Sequence, residues 1–104
     1  MPVRTARVVF DPAAERDLFA IYEHIAEAAG LRRAGLYVDR ITAACMALST
    51  FPERGTPRDD LSAGVRTIGF ERRATIAYRV EGALVIILGV FYAGRDFESF
   101  FQES

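Results

Sequence analysis

The stretch VRTIGFERRATIAYRVEGALVIILGVFY, residues 65–92, decides the fold, because it holds three apolar segments separated by two short polar connections. The segments VRTIGF, ATIAYRV and ALVIILGVFY are rich in β-branched and aromatic residues, which is typical of strands. The connections ERR and EG are short enough for tight hairpins. The stretch therefore predicts a three-stranded antiparallel meander.

Side-chain alternation within the meander predicts what each strand faces. In ATIAYRV one face carries the larger apolar groups and the other carries small or polar ones, with Ile76, Tyr78 and Val80 set against Thr75, Ala77 and Arg79. One face should pack on the rest of the protein while the other stays partly open. In LVIILGVFY both faces are apolar, which predicts a central strand or one whose second face is covered.

The N-terminal half has the three- and four-residue spacing of two amphipathic helices. Asp11 as N-cap and Pro12 at the first helical position begin the first helix, and Gly30 ends it. After a turn, a second helix continues as far as Phe51, before Pro52. Their apolar faces hold Ala14, Leu18, Ile21, Tyr22, Ile25 and Ala29 in the first helix, and Ala34, Tyr37, Val38, Ile41, Cys45, Leu48 and Phe51 in the second.

The order of the elements predicts an α+β domain with two layers. A strand at residues 4–10 comes first, an antiparallel helical hairpin follows, residues 52–64 form a loop, and the meander completes one sheet. With 104 residues, the chain has room for one domain, residues 1–104.

The composition excludes several classes of function. The single Cys45 cannot form an internal disulfide, and no Cys and His cluster has metal-ligand spacing, so neither a metal nor a cofactor is expected. No apolar run approaches the roughly 20 residues of a membrane helix, so we expect a soluble cytoplasmic protein without membrane contact. A net charge of −1 argues against binding nucleic acid through overall charge.

All thirteen basic residues are arginines. Between Leu61 and Val80 four of them accompany the single acid Glu71: Arg66, Arg72, Arg73 and Arg79. A GC-rich genome would also favour arginine over lysine, so only the clustering is informative. The planar guanidinium suits carboxylates and phosphates.

Several motifs together resemble the ParE branch of the RelE/ParE toxins of bacterial type II toxin–antitoxin modules. The resemblance runs from Val9 to Glu98. It rests on Asp17-Leu18, on L-x-x-F-P-x-x-G at Leu48, Phe51, Pro52 and Gly55, on Gly64-Val65-Arg66, on Tyr78-Arg79-Val80 and on Gly94-Arg95-Asp96.

The resemblance implies a toxin that inhibits growth by poisoning DNA gyrase and is neutralised by a ParD-like antitoxin. That antitoxin should carry a ribbon-helix-helix DNA-binding part, so the hetero-oligomeric complex would touch DNA only through it. An amphipathic, acidic antitoxin segment should cover the helical hairpin and the arginine-bearing region. The antitoxin contacts that we predict are Leu18, Tyr22, Tyr37, Arg66, Arg73 and Arg79.

The C-terminal stretch VFYAGRDFESFF predicts the contact with the target. Gly94 allows a turn, and Arg95, Phe97, Phe100 and Phe101 form an arginine and aromatic patch. Such residues are enriched in interface hot spots. Alternatively, the phenylalanines fold back onto the open face of the sheet as core.

The superfamily also contains metal-free, ribosome-dependent mRNA endonucleases, and a non-toxic binding module is a further alternative. RNA cleavage needs a base, a cation for the phosphorane and an acid for the leaving oxygen. Here the candidates are Arg66, Arg73, Arg79 and Tyr92, with Arg95 as a further cation. A tyrosine near its reference pKa of about 10 is a weak base, and the only histidine, His24, lies in the first helix.

Some of these residues also have a purely structural interpretation. Phe51 and Pro52 would be a core anchor and a helix stop, and Cys45 a small core residue. Gly64 should supply a positive φ, and Arg66 should either satisfy a helix C-terminus or pair with Asp59 or Asp60.

Overall fold

The computed structural model of the protein describes residues 5–93, which form two helices and five strands in two layers. The predicted α+β architecture is confirmed. The elements in chain order are β1 (Arg7–Phe10), α1 (Pro12–Ala29), α2 (Leu31–Met46), a 3-10 turn (Ala47–Ser49), β2 (Thr56–Pro57), β3 (Val65–Phe70), β4 (Ala74–Glu81) and β5 (Leu84–Tyr92).

The sheet has the strand order β1-β5-β4-β3-β2 and is mixed. The meander β3-β4-β5 is antiparallel as predicted, whereas β1 pairs in parallel with β5, from Arg7 opposite Leu84 to Phe10 opposite Ile87. The predicted loop at residues 52–64 contains the two-residue strand β2, which pairs with β3. The loop prediction was wrong there, because Pro57 disfavours a strand except at a sheet edge, where β2 lies.

The caps of α1 are those that the sequence predicts. Asp11 Oδ1 accepts a hydrogen bond of 2.9 Å from Ala13 N. Gly30 has φ +95°, and its N–H bonds to Ala26 O. The connection between the helices is short, as expected for a helical hairpin, because Gly30 alone separates α1 from α2.

The end of the second helix also differs from the prediction. Its α-helical part ends at Met46, and Phe51 is 67% exposed with φ +54°, so Phe51 is not a core anchor. The last core residue of this segment is Leu48, which is fully buried.

The core lies between the helical hairpin and one face of the sheet. It contains Ile21, Tyr37, Ile41, Cys45, Leu48, Ile76, Tyr78, Val85, Ile87 and Val90. Cys45 is therefore the core residue that its position predicts, and burial raises the pKa of its thiol to about 12. On the second face of the sheet, Thr75 and Arg79 are half-buried while Ala77 is fully buried, so this face is less open than predicted.

A β-bulge in β5 lies next to the point where α1 contacts the sheet. Ala77 pairs with Gly89 and Tyr78 with Ile87, so Leu88 is an extra residue. The pairing with β1 stops at Ile87. Beyond that point a side chain of α1 replaces the strand as acceptor, since Asp17 Oδ2 accepts a hydrogen bond of 2.9 Å from Val90 N.

Within residues 5–93, no helix has the length and apolarity to cross a membrane.

Candidate functional site

A groove of about 380 Å³ opens where β5 ends, between the helical hairpin and the β3–β4 turn. Its apolar lining comes from Ile25, Ala29 and Leu36 of the hairpin. Its polar and aromatic lining comes from Arg33, Tyr37 and Arg40 of α2, Glu71 and Arg73 of the β3–β4 turn, and Tyr92 of β5. We call it the arginine–tyrosine groove.

Tyr37 lies at the centre of an aromatic cluster beside this groove. Its ring makes edge-on contacts with Phe70 and Tyr92, at centroid distances of 5.7 and 5.5 Å. The Arg40 guanidinium lies 5.4 Å from the same ring centroid. The side chain is only 8% exposed, and its hydroxyl has no hydrogen-bond partner in the part of the chain that the structure describes.

The pKa of Tyr37 is raised above its ordinary value, first by burial and then by Tyr92 and Glu71, while Arg40 and Arg73 oppose the rise. The hydroxyl therefore stays protonated at neutral pH and can donate a hydrogen bond. All four of the neighbouring groups that act on it line the arginine–tyrosine groove.

Arg40 and Glu71 form a two-pronged ion pair between α2 and the β3–β4 turn. Arg40 Nε and Nη2 lie 2.9 and 3.0 Å from the two carboxylate oxygens of Glu71. The hydrogen bond from Arg40 holds the pKa of Glu71 below its usual value. Both side chains are about half exposed, so the pair fixes geometry more than it contributes stability.

The β3–β4 turn has an unusual backbone for its sequence. Glu71 and Arg72 have φ +47° and +60°, and Arg73 N donates to Phe70 O over 3.1 Å. Two consecutive left-handed residues in a hairpin turn normally favour Gly or Asn. The turn projects Glu71 and Arg73 toward the groove.

Of the four residues considered for RNA cleavage, the structure brings two together. Arg73 and Tyr92 line the same groove. Arg66, which pairs in register with Tyr78, is on the helix-facing side of the sheet, whereas Arg79 is on the other face. Both belong to the opposite end of the β3–β4 hairpin from the β3–β4 turn.

Arg66 has a structural partner that the sequence did not suggest. Its Nη1 donates to Glu53 O and Gly55 O, both at 2.8 Å, and so holds the FPERG segment onto the sheet. The expected pairing with Asp59, Asp60 or a helix C-terminus is wrong. Asp60 pairs with Arg58, and Asp59 accepts a hydrogen bond of 3.0 Å from Gly64 N. Gly64 has φ +80°, as predicted.

Arg79 extends along the second face of the sheet. Its Cγ, Cδ and Nε atoms pass within 4 Å of the place that a Cβ at Gly64 would occupy. Its Nη2 lies 3.5 Å from Ser62 Oγ, at the limit of a hydrogen bond.

The remaining predicted contacts divide between the hairpin and the C-terminus. Leu18 and Tyr22 are half-buried on α1, and Leu18 packs against the core. Tyr37, the third apolar contact predicted for the antitoxin, is buried in the core rather than exposed on the surface. The target contacts Arg95, Phe97, Phe100 and Phe101, and Gly94 before them, lie outside the described residues.

The sequence analysis did not identify Arg33, Arg40 and Glu71 as lining residues of the arginine–tyrosine groove, nor the contact between His24 and Tyr92. Arg33, Tyr37 and Arg40 follow helical spacing and so share a face of α2, which could have indicated the groove. His24 makes an edge-on ring contact with Tyr92 at 5.8 Å. Among residues 5–93 no group of three His, Cys, Asp or Glu side chains could hold a metal ion.

A larger cavity of about 710 Å³ lies near the β4–β5 turn, the other end of β5 from the groove. Its charged lining residues are Glu53 and Arg54. The Arg54 guanidinium donates hydrogen bonds to the backbone oxygens of Ala47, Thr50 and Phe51, which follow α2 in the chain. Since that cation is already occupied, the arginine–tyrosine groove is the better candidate site.

Comparisons with known proteins find toxins of one family and a further complex that shares the fold. The protein-family model described as ParE toxin of type II toxin–antitoxin system, parDE, matches residues 8–97. Toxin ParE3 of Caulobacter vibrioides is 31% identical over 84 residues, which are 81% of this chain and 83% of that protein. The solved chromosomal ParDE system of P. aeruginosa matches with a TM-score of 0.76 and 27% identity, covering 86% of this chain and 98% of that one. The toxin–antitoxin complex RelBE2 of Mycobacterium tuberculosis shares the fold, with a TM-score of 0.65, 23% identity and coverage of 85% and 98%.

Proposed function

Since the chain belongs to the ParE toxin family of type II toxin–antitoxin systems, we propose that it stops growth in the cytoplasm by poisoning DNA gyrase. We further propose that a ParD-like antitoxin with a ribbon-helix-helix DNA-binding part neutralises it in a hetero-oligomeric complex. In this proposal the toxin reaches DNA only through the antitoxin.

A protein target is favoured over RNA cleavage because the arginines considered for catalysis, Arg66, Arg73 and Arg79, lie apart from one another. A metal-free nuclease must bring its base, acid and cations around one phosphate. Arg66 is engaged by two backbone oxygens, and Arg79 is on the opposite face from it. The two that do meet, Arg73 and Tyr92, line a groove that includes neither Arg66 nor Arg79. The net charge of −1 also favours a protein partner.

Two assays run side by side test this function. Purified toxin should stabilise gyrase cleavage complexes and inhibit supercoiling, while mRNA on translating ribosomes stays intact. Codon-specific mRNA cuts with unaffected gyrase would instead establish the ribosome-dependent endonuclease. A harmless chain that purifies alone, with no partner from its own operon, would favour the non-toxic module.

The C-terminal residues provide a second test. If Arg95, Phe97, Phe100 and Phe101 contact the target, deleting residues 97–104 should abolish toxicity while antitoxin binding largely persists. Tyr92→Phe keeps the ring that packs on Tyr37 and removes only the hydroxyl, so it should stay toxic. A non-toxic Tyr92→Phe variant together with a toxic truncation would reverse the assignment.

A further inference from the structure

The face of the sheet that points away from the helices, here called the outer face, carries an apolar surface. Val9 of β1, Ile86 of β5 and Arg79 of β4 lie in one row across this face, because they are partners in the strand register. Ala77 and Phe91 lie on the same face, nearer the C-terminal end of β5. Both helices pack on the opposite face, yet Ala77 is fully buried and Phe91 is only 5% exposed. The outer face is therefore shielded near Phe91, although neither helix covers it.

The outer face also carries a cation without an anion. Arg79 is half-buried, and its guanidinium has five N–H donors, whose one contact here is Ser62 Oγ at 3.5 Å. No carboxylate lies within 4 Å of Arg79 among residues 5–93. Exposed Arg7 lies on the same face, and the five strands contain a single acidic residue, Glu81. Since partly buried polar groups are normally paired, this face favours a segment that brings carboxylates.

The chain leaves the sheet beside this face. Ala93 follows β5, its N–H donates to Arg73 O over 2.8 Å, and its φ of +58° is left-handed, so the extended conformation stops there. Residues 94–104 come next, and eleven residues can span at most about 36 Å. Phe91 and Ile86 are five residues apart in β5, or roughly 17 Å. The segment is therefore long enough to return along the outer face as far as Ile86 and beyond.

The composition of residues 94–104 complements the outer face in both respects. The segment contains three aromatic residues, three acids and one arginine, namely Phe97, Phe100 and Phe101, Asp96, Glu98 and Glu103, and Arg95. Its phenylalanines suit the apolar row, and its surplus of acids suits Arg79. The family match ends at residue 97, so residues 98–104 lie beyond the part of the chain that the family model matches.

We propose that residues 94–104 fold back onto the outer face of the sheet in the free protein. The phenylalanines cover Val9 and Ile86, and Glu98, which is five residues beyond the end of the described chain, pairs with Arg79. Docking of this segment goes beyond the proposed function, because it concerns the free protein. It rests on that function only in one consequence, since the residues proposed to contact the target are then held on the sheet and the target must compete for them.

A single tryptophan tests the docking, because the chain contains none of its own. In the otherwise unchanged chain, Phe101→Trp should emit at short wavelength and resist quenching by acrylamide. Adding Ile86→Gln or Arg79→Gln should raise the quenching constant severalfold toward its value in urea. Leu36→Gln and Arg16→Gln are the matched controls, since they make the same changes at exposed positions of the helical layer and should leave quenching unchanged.

A charge exchange separates docking from damage to the fold. Arg79→Glu should release the segment by placing like charges together, and Glu98→Arg in the same chain should restore protection of the reporter. A variant that merely unfolds is not rescued by a second substitution. The melting temperature of each variant, measured in parallel, shows that quenching is compared between folded chains.

Three results would overturn the docking. The reporter could be as accessible in the native chain as in urea, or protected but insensitive to both Ile86→Gln and Arg79→Gln. Protection that grows with protein concentration would assign the outer face to a second copy of the chain instead.

The gyrase assay separates this inference from the proposed function. If docking competes with the target, Arg79→Gln should lower the toxin concentration needed for cleavage complexes severalfold, because a larger fraction of the free toxin is competent to bind. An unchanged concentration would overturn the competition. A docked segment in a toxin that leaves gyrase unaffected would overturn the proposed function and leave the docking in place.

Discussion

Replacing Arg72 by glycine should stabilise this protein. Arg72 has φ +60° as the second left-handed residue of the β3–β4 turn. A left-handed conformation costs a non-glycine residue roughly 1–2 kcal/mol, and glycine adopts it freely. Against this gain, the unfolded chain becomes more flexible with glycine, which costs about 0.5–1 kcal/mol. The net stabilisation is therefore about 0.5–1 kcal/mol, or about 2–8 °C in Tm for a domain of this size.

Arg72→Ala is the matched control, because it removes the same side chain and keeps the backbone penalty. In a helix or strand, glycine is less stable than alanine by about 0.5–1 kcal/mol. At position 72 the order should be reversed, with the glycine variant the more stable in both thermal and urea unfolding. Position 71 is unsuitable for this test, since Glu71 also pairs with Arg40. If Arg72→Gly melts below Arg72→Ala, the left-handed turn is not the source of strain and the reasoning is refuted.

Three further predictions follow from contacts elsewhere in the fold. Gly55→Ala should destabilise the protein by about 1–3 kcal/mol in urea unfolding, since its Cβ would lie 2.5 Å from the buried Tyr78 hydroxyl; an unchanged midpoint would show that this segment can move. Asp17→Ala should cost about 1–3 kcal/mol, because a β5 N–H loses its acceptor, and amide exchange should localise the opening to that strand. The hydrogen bond from Arg40 lowers the pKa of Glu71, so the ion pair stabilises the folded state at pH values above the ordinary pKa of a glutamate. That stabilisation is lost as the pH falls through the lowered pKa of Glu71. The Tm difference between wild type and Glu71→Gln should accordingly be constant near neutral pH and close in acid, and a difference that persists at pH 2 would contradict it.

The fold was predictable where periodicity is strong and the partners are close in sequence. The meander at residues 65–92 and the caps at Asp11 and Gly30 were read from local chemistry alone. Phe51 was misassigned because it continues the apolar spacing of α2, although the backbone has already left the helix and carries φ +54°. The parallel pairing of β1 with β5 joins residues far apart in sequence, and no local pattern encodes it.

The candidate site was harder to predict because it is assembled from distant segments. Arg40 and Glu71 are 31 residues apart, and only the packed helix brings them together. Tyr37 was correctly placed on the apolar face of α2, but its missing acceptor is a property of its neighbours Phe70 and Tyr92. Arg73 and Tyr92 were named for RNA cleavage, and their shared groove with Tyr37 became visible only in three dimensions.

Two features at or beside the arginine–tyrosine groove lower the stability of the folded state. They are the left-handed turn at Glu71 and Arg72 and the unpaired buried hydroxyl of Tyr37. Strain of this kind persists where the surrounding structure enforces it, and it concentrates at functional sites. The two costs are separable, because glycine at position 72 relieves the turn without touching the groove donors. Both Arg72→Gly and Tyr37→Phe should therefore raise the melting temperature of the free protein, each by relieving a different local cost.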